Sequence, residues 1–100
     1  MIKHIVLWKL HAEANGKTKQ ENALEVKRLL EDMVGKVPEI ITLEVGINYN
    51  TSPDDADVVL YSEFASKSDL EAYQVHPDHE AIKGFIKSVR SERRVIDYEV

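Results

Sequence analysis

Between positions 73 and 80 the chain reads Tyr-Gln-Val-His-Pro-Asp-His-Glu, so a phenol and two of its four histidines fall within seven residues. Histidine titrates near neutrality, and a positioned tyrosine can donate a hydrogen bond or orient a neighbour, which suits general acid–base work on a small molecule. Pro77 cannot continue a helix from the preceding turn. It pushes His76 toward an extended conformation while being well suited to the first position of a new helix. Two helices meeting at a corner are therefore expected. Tyr73 stands one turn before the break and His79 in the first turn after it. A bend at Pro77 would fold both side chains toward a common sheet, within hydrogen-bond reach directly or through one water. There the positive end of the helix dipole would favour the neutral imidazole that a general base requires.

Each candidate has a plainer counterpart. Tyrosine on an apolar helical face is ordinarily core with its hydroxyl satisfied, and a histidine in a first helical turn is ordinarily exposed. His76 could do no more than fix the corner. His76, Asp78, His79 and Glu80 lie close in sequence, but they lack the His-x-x-x-His spacing that puts two imidazoles on one helical face. The chain has no cysteine. No metal and no organic cofactor are expected.

The elements that must position these groups are legible from periodicity. Residues 2–10 read as a strand with Ile2, His4, Val6, Trp8 and Leu10 on one face and Lys3, Ile5, Leu7 and Lys9 on the other, both apolar at the centre. Residues 13–17 read as a loop around Asn15-Gly16, and Thr18 with Glu21 as a capping box. Ala23, Val26, Leu30, Met33, Val34 and Val37 then recur on one helical face, ended by Gly35 and Pro38. Residues 39–48 and 57–64 read as two strands of a hairpin joined by an exposed loop over 49–55. Ser68 with Glu71 predicts the start of a second helix carrying Leu70, Tyr73 and Val75 inward. Beyond the corner, Ile82, Phe85, Ile86 and Val89 mark a third, and residues 94–100 a last strand. This is the ferredoxin-like βαββαβ order: one α+β domain over residues 1–100, a four-stranded antiparallel sheet with helices on one face.

That arrangement leaves the second sheet face to be covered from outside. A second copy of the chain under two-fold symmetry is the simplest candidate. A formal charge of −5 argues against sequence-independent nucleic-acid binding. Arg90, Arg93 and Arg94 form a small basic cluster diluted by Glu92 and Asp97, and read as solvated surface. No apolar run is long enough to span a membrane, and the first residues enter a strand pattern directly, so a cytoplasmic protein is expected.

Lys3-His4-Ile5-Val6-Leu7, Leu43-Glu44-Val45-Gly46, Asp57 through Phe64, and Tyr73-x-x-His76-Pro77-x-His79 together resemble the stress-responsive α/β barrel (Dabb) family. The resemblance runs nearly end to end, through Asp97-Tyr98. It implies a dimeric α+β barrel in which two four-stranded sheets face one another. One branch, similar to olivetolic acid cyclase, closes a polyketide ring by aldol chemistry without metal or organic cofactor. By the shared motif, that branch's general-base histidine and supporting tyrosine fall on His79 and Tyr73. A pocket histidine of its first strand falls on His4 and an acidic residue of its last strand on Asp97. With His76 these are the substrate-contacting candidates. A further pocket histidine falls on Val58, and aromatic residues of the first helix fall on Val26 and Leu30, which implies a different substrate.

Two functions of different classes follow. One is a cofactor-independent cyclase, isomerase or lyase, in which His79 removes a proton next to a carbonyl while Tyr73 orients it or stabilises the enolate. The other is a non-catalytic dimeric stress or binding protein that holds a small apolar or aromatic ligand. A cavity lined by both residues would favour the enzyme, a filled interior the binding protein.

Overall fold

In the computed structural model, which describes residues 1–50 and 52–100, the elements run β1 (Ile2–Leu10), β2 (Glu13–Ala14), β3 (Lys17–Thr18), α1 (Lys19–Glu31), β4 (Thr42–Ile47), β5 (Val58–Phe64), α2 (Lys67–Val75), α3 (Pro77–Val89) and β6 (Arg90–Glu99). Thr51, inside the loop expected over 49–55, lies outside the described residues. The main sheet has four strands in the order β4-β5-β1-β6, and every pairing is antiparallel. With the helices on one face, this is the ferredoxin-like α+β fold expected.

Register assigns the faces. His4 pairs with Ser62 and Asp97, Val6 with Leu60 and Val95, and Trp8 with Val58 and Arg93, so these residues share the helix-covered side. Ile2, Val6, Trp8, Val58, Leu60 and Phe64 meet Val26 and Leu30 of α1, Tyr73 of α2 and Val89 of α3 in one buried core. The opposite side carries Ile5, Leu7, Val59, Tyr61, Ile96 and Tyr98.

Local chemistry explains the ends. Asn15 and Gly16 both have positive φ, 55° and 75°, so the expected loop is a tight hairpin of β2 and β3, the turn that favours Asn-Gly. The Thr18–Glu21 capping box forms as expected. The box expected from Ser68 and Glu71 does not. Ser66, extended at φ −150°, caps α2 by accepting from the Asp69 N–H, and because this equally well-spaced pair lies earlier, the helix starts two residues sooner. Val34 and Val75 were expected inward and are exposed, at 53% and 70%. α1 ends at Glu31 and the chain turns through Gly35 at φ 89°, which swings Val34 outward while Met33 and Val37 stay buried. Val75 stands two residues, roughly 200° of helix, from buried Tyr73.

β6 begins four residues before the expected start. Residues 90–94 show no apolar alternation, because residue 90 is half-buried and 91–94 are exposed on both faces of an edge strand. Their pairing with Trp8, Lys9 and Leu10 is what makes them strand.

Candidate functional site

The corner is built as its sequence dictates. The His76 N–H closes α2 on the Tyr73 carbonyl, and Pro77 occupies the first turn of α3 with His76 as the N-cap, whose Nδ1 accepts from the Asp78 N–H at 3.1 Å. His76 therefore satisfies a helix terminus. It is not among the residues lining the cavity described below.

Tyr73 and His79 are brought face to face. Their rings stack with centroids 4.3 Å apart and planes at 26°. The hydrogen bond between the two residues uses the backbone: His79 Nδ1 lies 3.2 Å from the Tyr73 carbonyl oxygen. A carbonyl only accepts, so Nδ1 carries the proton and Nε2 keeps its lone pair. The expected bond to the Tyr73 hydroxyl is absent. That hydroxyl is fully buried without a partner, and burial raises its pKa above the ordinary tyrosine value.

Burial also lowers the His79 pKa to about 4, with Lys83 pushing the same way and the Tyr73 carbonyl opposing. The imidazole is neutral as expected, but desolvation is the principal cause rather than the helix dipole. His4 lies beneath, its ring edge-on to Tyr73 with centroids 6.2 Å apart. Its Nδ1 bonds the Asp97 carboxylate across the β1–β6 pair, and Nε2 has no partner among the described residues. Asp97 does not line the cavity. It acts on His4, fixing the ring's orientation.

These groups line a cavity of about 520 Å³ between α3 and the sheet beside β6. Val6, Leu30, Leu60 and Ile86 supply an apolar wall. The other end is lined by Trp8, Lys87, Arg90 and Arg93; of these the two arginines were expected as solvated surface. The signal was the register: Arg93 pairs with Trp8 and so points to the helix side, while Arg94 pairs with Leu7 and points away. Glu92, expected to dilute the cluster, shares the open face and stands 3.8 Å from Arg94.

Helices on one side of a four-stranded antiparallel sheet, enclosing a histidine- and tyrosine-lined cavity at its edge, define a ferredoxin-like α+β domain. More narrowly, the chain belongs to the stress-responsive A/B barrel domain family, whose model matches residues 2–100. A stress-response A/B barrel domain-containing protein of Arabidopsis thaliana is 29% identical over 105 residues, covering 98% of this chain and 46% of that protein, so the chain spans about half its relative's length. A dimeric protein of unknown function and ferredoxin-like fold from Bacteroides fragilis superimposes with a TM-score of 0.84 at 31% identity, covering 99% of this chain and 95% of its own. A hydroxynitrile lyase of Passiflora edulis shares the fold at 17% identity, with a TM-score of 0.75 and coverage of 99% and 92%.

Proposed function

We propose that the domain is a cofactor-independent enzyme of the cyclase, isomerase or lyase type, acting on an enolisable carbonyl compound, with His79 as general base and Tyr73 as hydrogen-bond donor. The observation that carries this is the pairing itself. The Tyr73 carbonyl holds His79 in the tautomer whose Nε2 is basic, next to a buried hydroxyl without a partner among the described residues. Such a hydroxyl costs stability in the folded chain and recovers it when a ligand oxygen accepts from it.

In the reaction so assigned, His79 Nε2 takes a proton from the carbon between two carbonyls. The C–H electron pair becomes the enolate, whose oxygen accepts from Tyr73. The enolate carbon attacks a further carbonyl of the same molecule, four carbons beyond the nearer flanking one, so that a six-membered ring closes, and the imidazolium returns its proton to the new alkoxide. No external oxidant or reductant enters. His4, held by Asp97, binds a substrate hydroxyl or enol through Nε2. The motif shared with the olivetolic acid cyclase branch, Tyr73-x-x-His76-Pro77-x-His79, supports the same assignment. So does a cavity lined by both residues, where a filled interior would have favoured pure binding.

The domain acts as a homodimer in this reading, supported by the apolar open face of the sheet and by a relative 31% identical that is dimeric. Turnover of a linear β-polyketone with four alternating carbonyls, followed by absorbance of its cyclised product, tests the chemistry. His79→Asn should reduce turnover at least about a hundredfold. Tyr73→Phe should lower turnover while raising stability by about 1 kcal/mol, because it removes an unsatisfied buried hydroxyl. A Tyr73→Phe protein that is less stable and fully active would show the hydroxyl to be structural.

A further inference from the structure

The cavity is polarised in a way that proton transfer at His79 does not use. The chain carries 18 acidic residues against 13 Lys and Arg, yet no carboxylate lines the cavity, while Lys83, Lys87, Arg90 and Arg93 all do. Lys83 is engaged, donating to the Gln74 carbonyl at 2.7 Å and to Glu80 at 2.6 Å. Among the described residues Lys87, Arg90 and Arg93 have no carboxylate partner within salt-bridge distance. Three unpaired cations around one apolar cavity in an acidic protein constitute an uncompensated field, and such a field concentrates anions.

A second observation marks the same end. Trp8, 5% exposed, lines the cavity, and its Nε1–H is fully buried without a partner. Indole N–H only donates, and buried donors find acceptors. Register brings Arg93 beside it: Trp8 and Arg93 pair directly across β1 and β6, and Leu10 pairs with Arg90.

The two ends are also a fixed distance apart. Along β1, His4 to Trp8 is four residues, about 13 Å of strand. Along α3, His79 to Lys87 is eight residues, about 12 Å of helix. Strand and helix run in the same direction, so both walls carry their proton-transfer groups at one end and their anion-binding groups at the other.

We infer that the cavity takes an elongated anionic substrate, its enolisable carbonyl at the edge of the His79–Tyr73 stack and a carboxylate or phosphate about 12 Å away on Lys87, Arg90, Arg93 and the Trp8 Nε1–H. This rests on the proposed reaction for the role of the first end and goes beyond it in assigning a second. The ligand is thereby not a purely apolar or aromatic molecule. Its stem crosses the apolar wall and its charged end leaves toward solvent between α3 and β6.

Trp8 is the sole tryptophan, so its fluorescence reads occupancy of the anionic end directly, without turnover. The probes are a ten-carbon keto acid whose carbonyl adjoins its terminal methyl, the corresponding keto-alkyl phosphate, and the methyl ester of the acid. At low salt either anion should bind at least about tenfold tighter than the ester. The tighter of the two names the head group. Raising the salt to the molar range should erase most of the difference. Arg93→Gln combined with Lys87→Gln, both exposed positions, should bring acid and phosphate to the ester's affinity and leave the ester unchanged. His79→Asn should leave the anion preference intact. Equal binding of acid, phosphate and ester, or an anion preference that survives the double substitution, would overturn the assignment. In His79→Asn, loss of polyketone turnover with the anion preference retained supports it, and failure of turnover in the wild type would count against the reaction alone.

Discussion

A histidine with a pKa near 4 makes stability sensitive to acid in a definite direction. In the folded chain burial holds His79 well below its ordinary 6.5, so the unfolded chain binds its proton more tightly than the folded one. The contribution of this ring is complete above about pH 6.5, falls as pH drops through that value, and has levelled off below about pH 4. The full shift corresponds to about 3 kcal/mol, and discounted for a ring that is partly open to solvent it is roughly 1–2 kcal/mol. His79→Asn should therefore lose less stability than wild type between pH 7 and pH 4.5, as read from urea midpoints at the two values. Parallel losses would place the ring in water. The same displacement sets the acid limb of kcat/KM near pH 4 rather than 6.5. At this scale the sequence exposed the Tyr73–His79 pair through its motif and a proline. It did not expose the bond to the Tyr73 carbonyl or the orphaned hydroxyl, because both depend on the angle at which α3 leaves the corner. Arg93 was hidden for a related reason, since an arginine's side of a sheet is decided by its pairing with a distant strand, here with Trp8.

At the scale of elements, the corner is held together by two side chains that tie the helix ends. His76 caps α3, and Lys83 ties the Gln74 carbonyl at the end of α2 to Glu80 in α3. Losing a cap costs about 1 kcal/mol, which in a domain of this size moves the melting temperature by roughly 4–8 °C. His76→Ala should show that fall and His76→Asn should not, because asparagine caps at least as well. Ligand affinity at fixed temperature should be the same in both. A large change in affinity with unchanged melting temperature would return His76 to the substrate. The helix and strand order was legible because each element carries its own period, its cap or its turn. The boundaries that shifted did so where two local signals competed, as at Ser66 and Ser68. They also shifted where an edge strand has no buried face to imprint a pattern, as in β6.

At the scale of the whole molecule, the sheet has one face covered by helices and one that the chain alone leaves bare. On that bare face Leu7, Ile96 and Tyr98 are 38%, 56% and 41% exposed, with Ile5, Val59 and Tyr61 half-buried between them. Lys3 and Glu63 border the patch at one end, 3.8 Å apart, with the Lys3 ammonium 5.5 Å from the Tyr61 ring centre. An apolar centre with a polar margin is the anatomy of an interface rather than of a solvated sheet. A patch that is its own partner under two-fold symmetry brings Leu7 of each copy toward the shared centre, so each substitution counts twice. Full burial of a leucine contributes about 1.5–3 kcal/mol, and a carboxylate in its place would be buried unpaired. Wild type should scatter light as twice 11.4 kDa at micromolar concentration, and Leu7→Asp should scatter as a monomer or fail to fold. Ile96→Lys, at an edge strand where the chain alone leaves more than half the side chain in water, should fold and shift the same equilibrium toward monomer with a concentration dependence that wild type lacks. A wild-type chain that is folded and monomeric at micromolar concentration would leave the bare face without a partner and remove the basis for the homodimer.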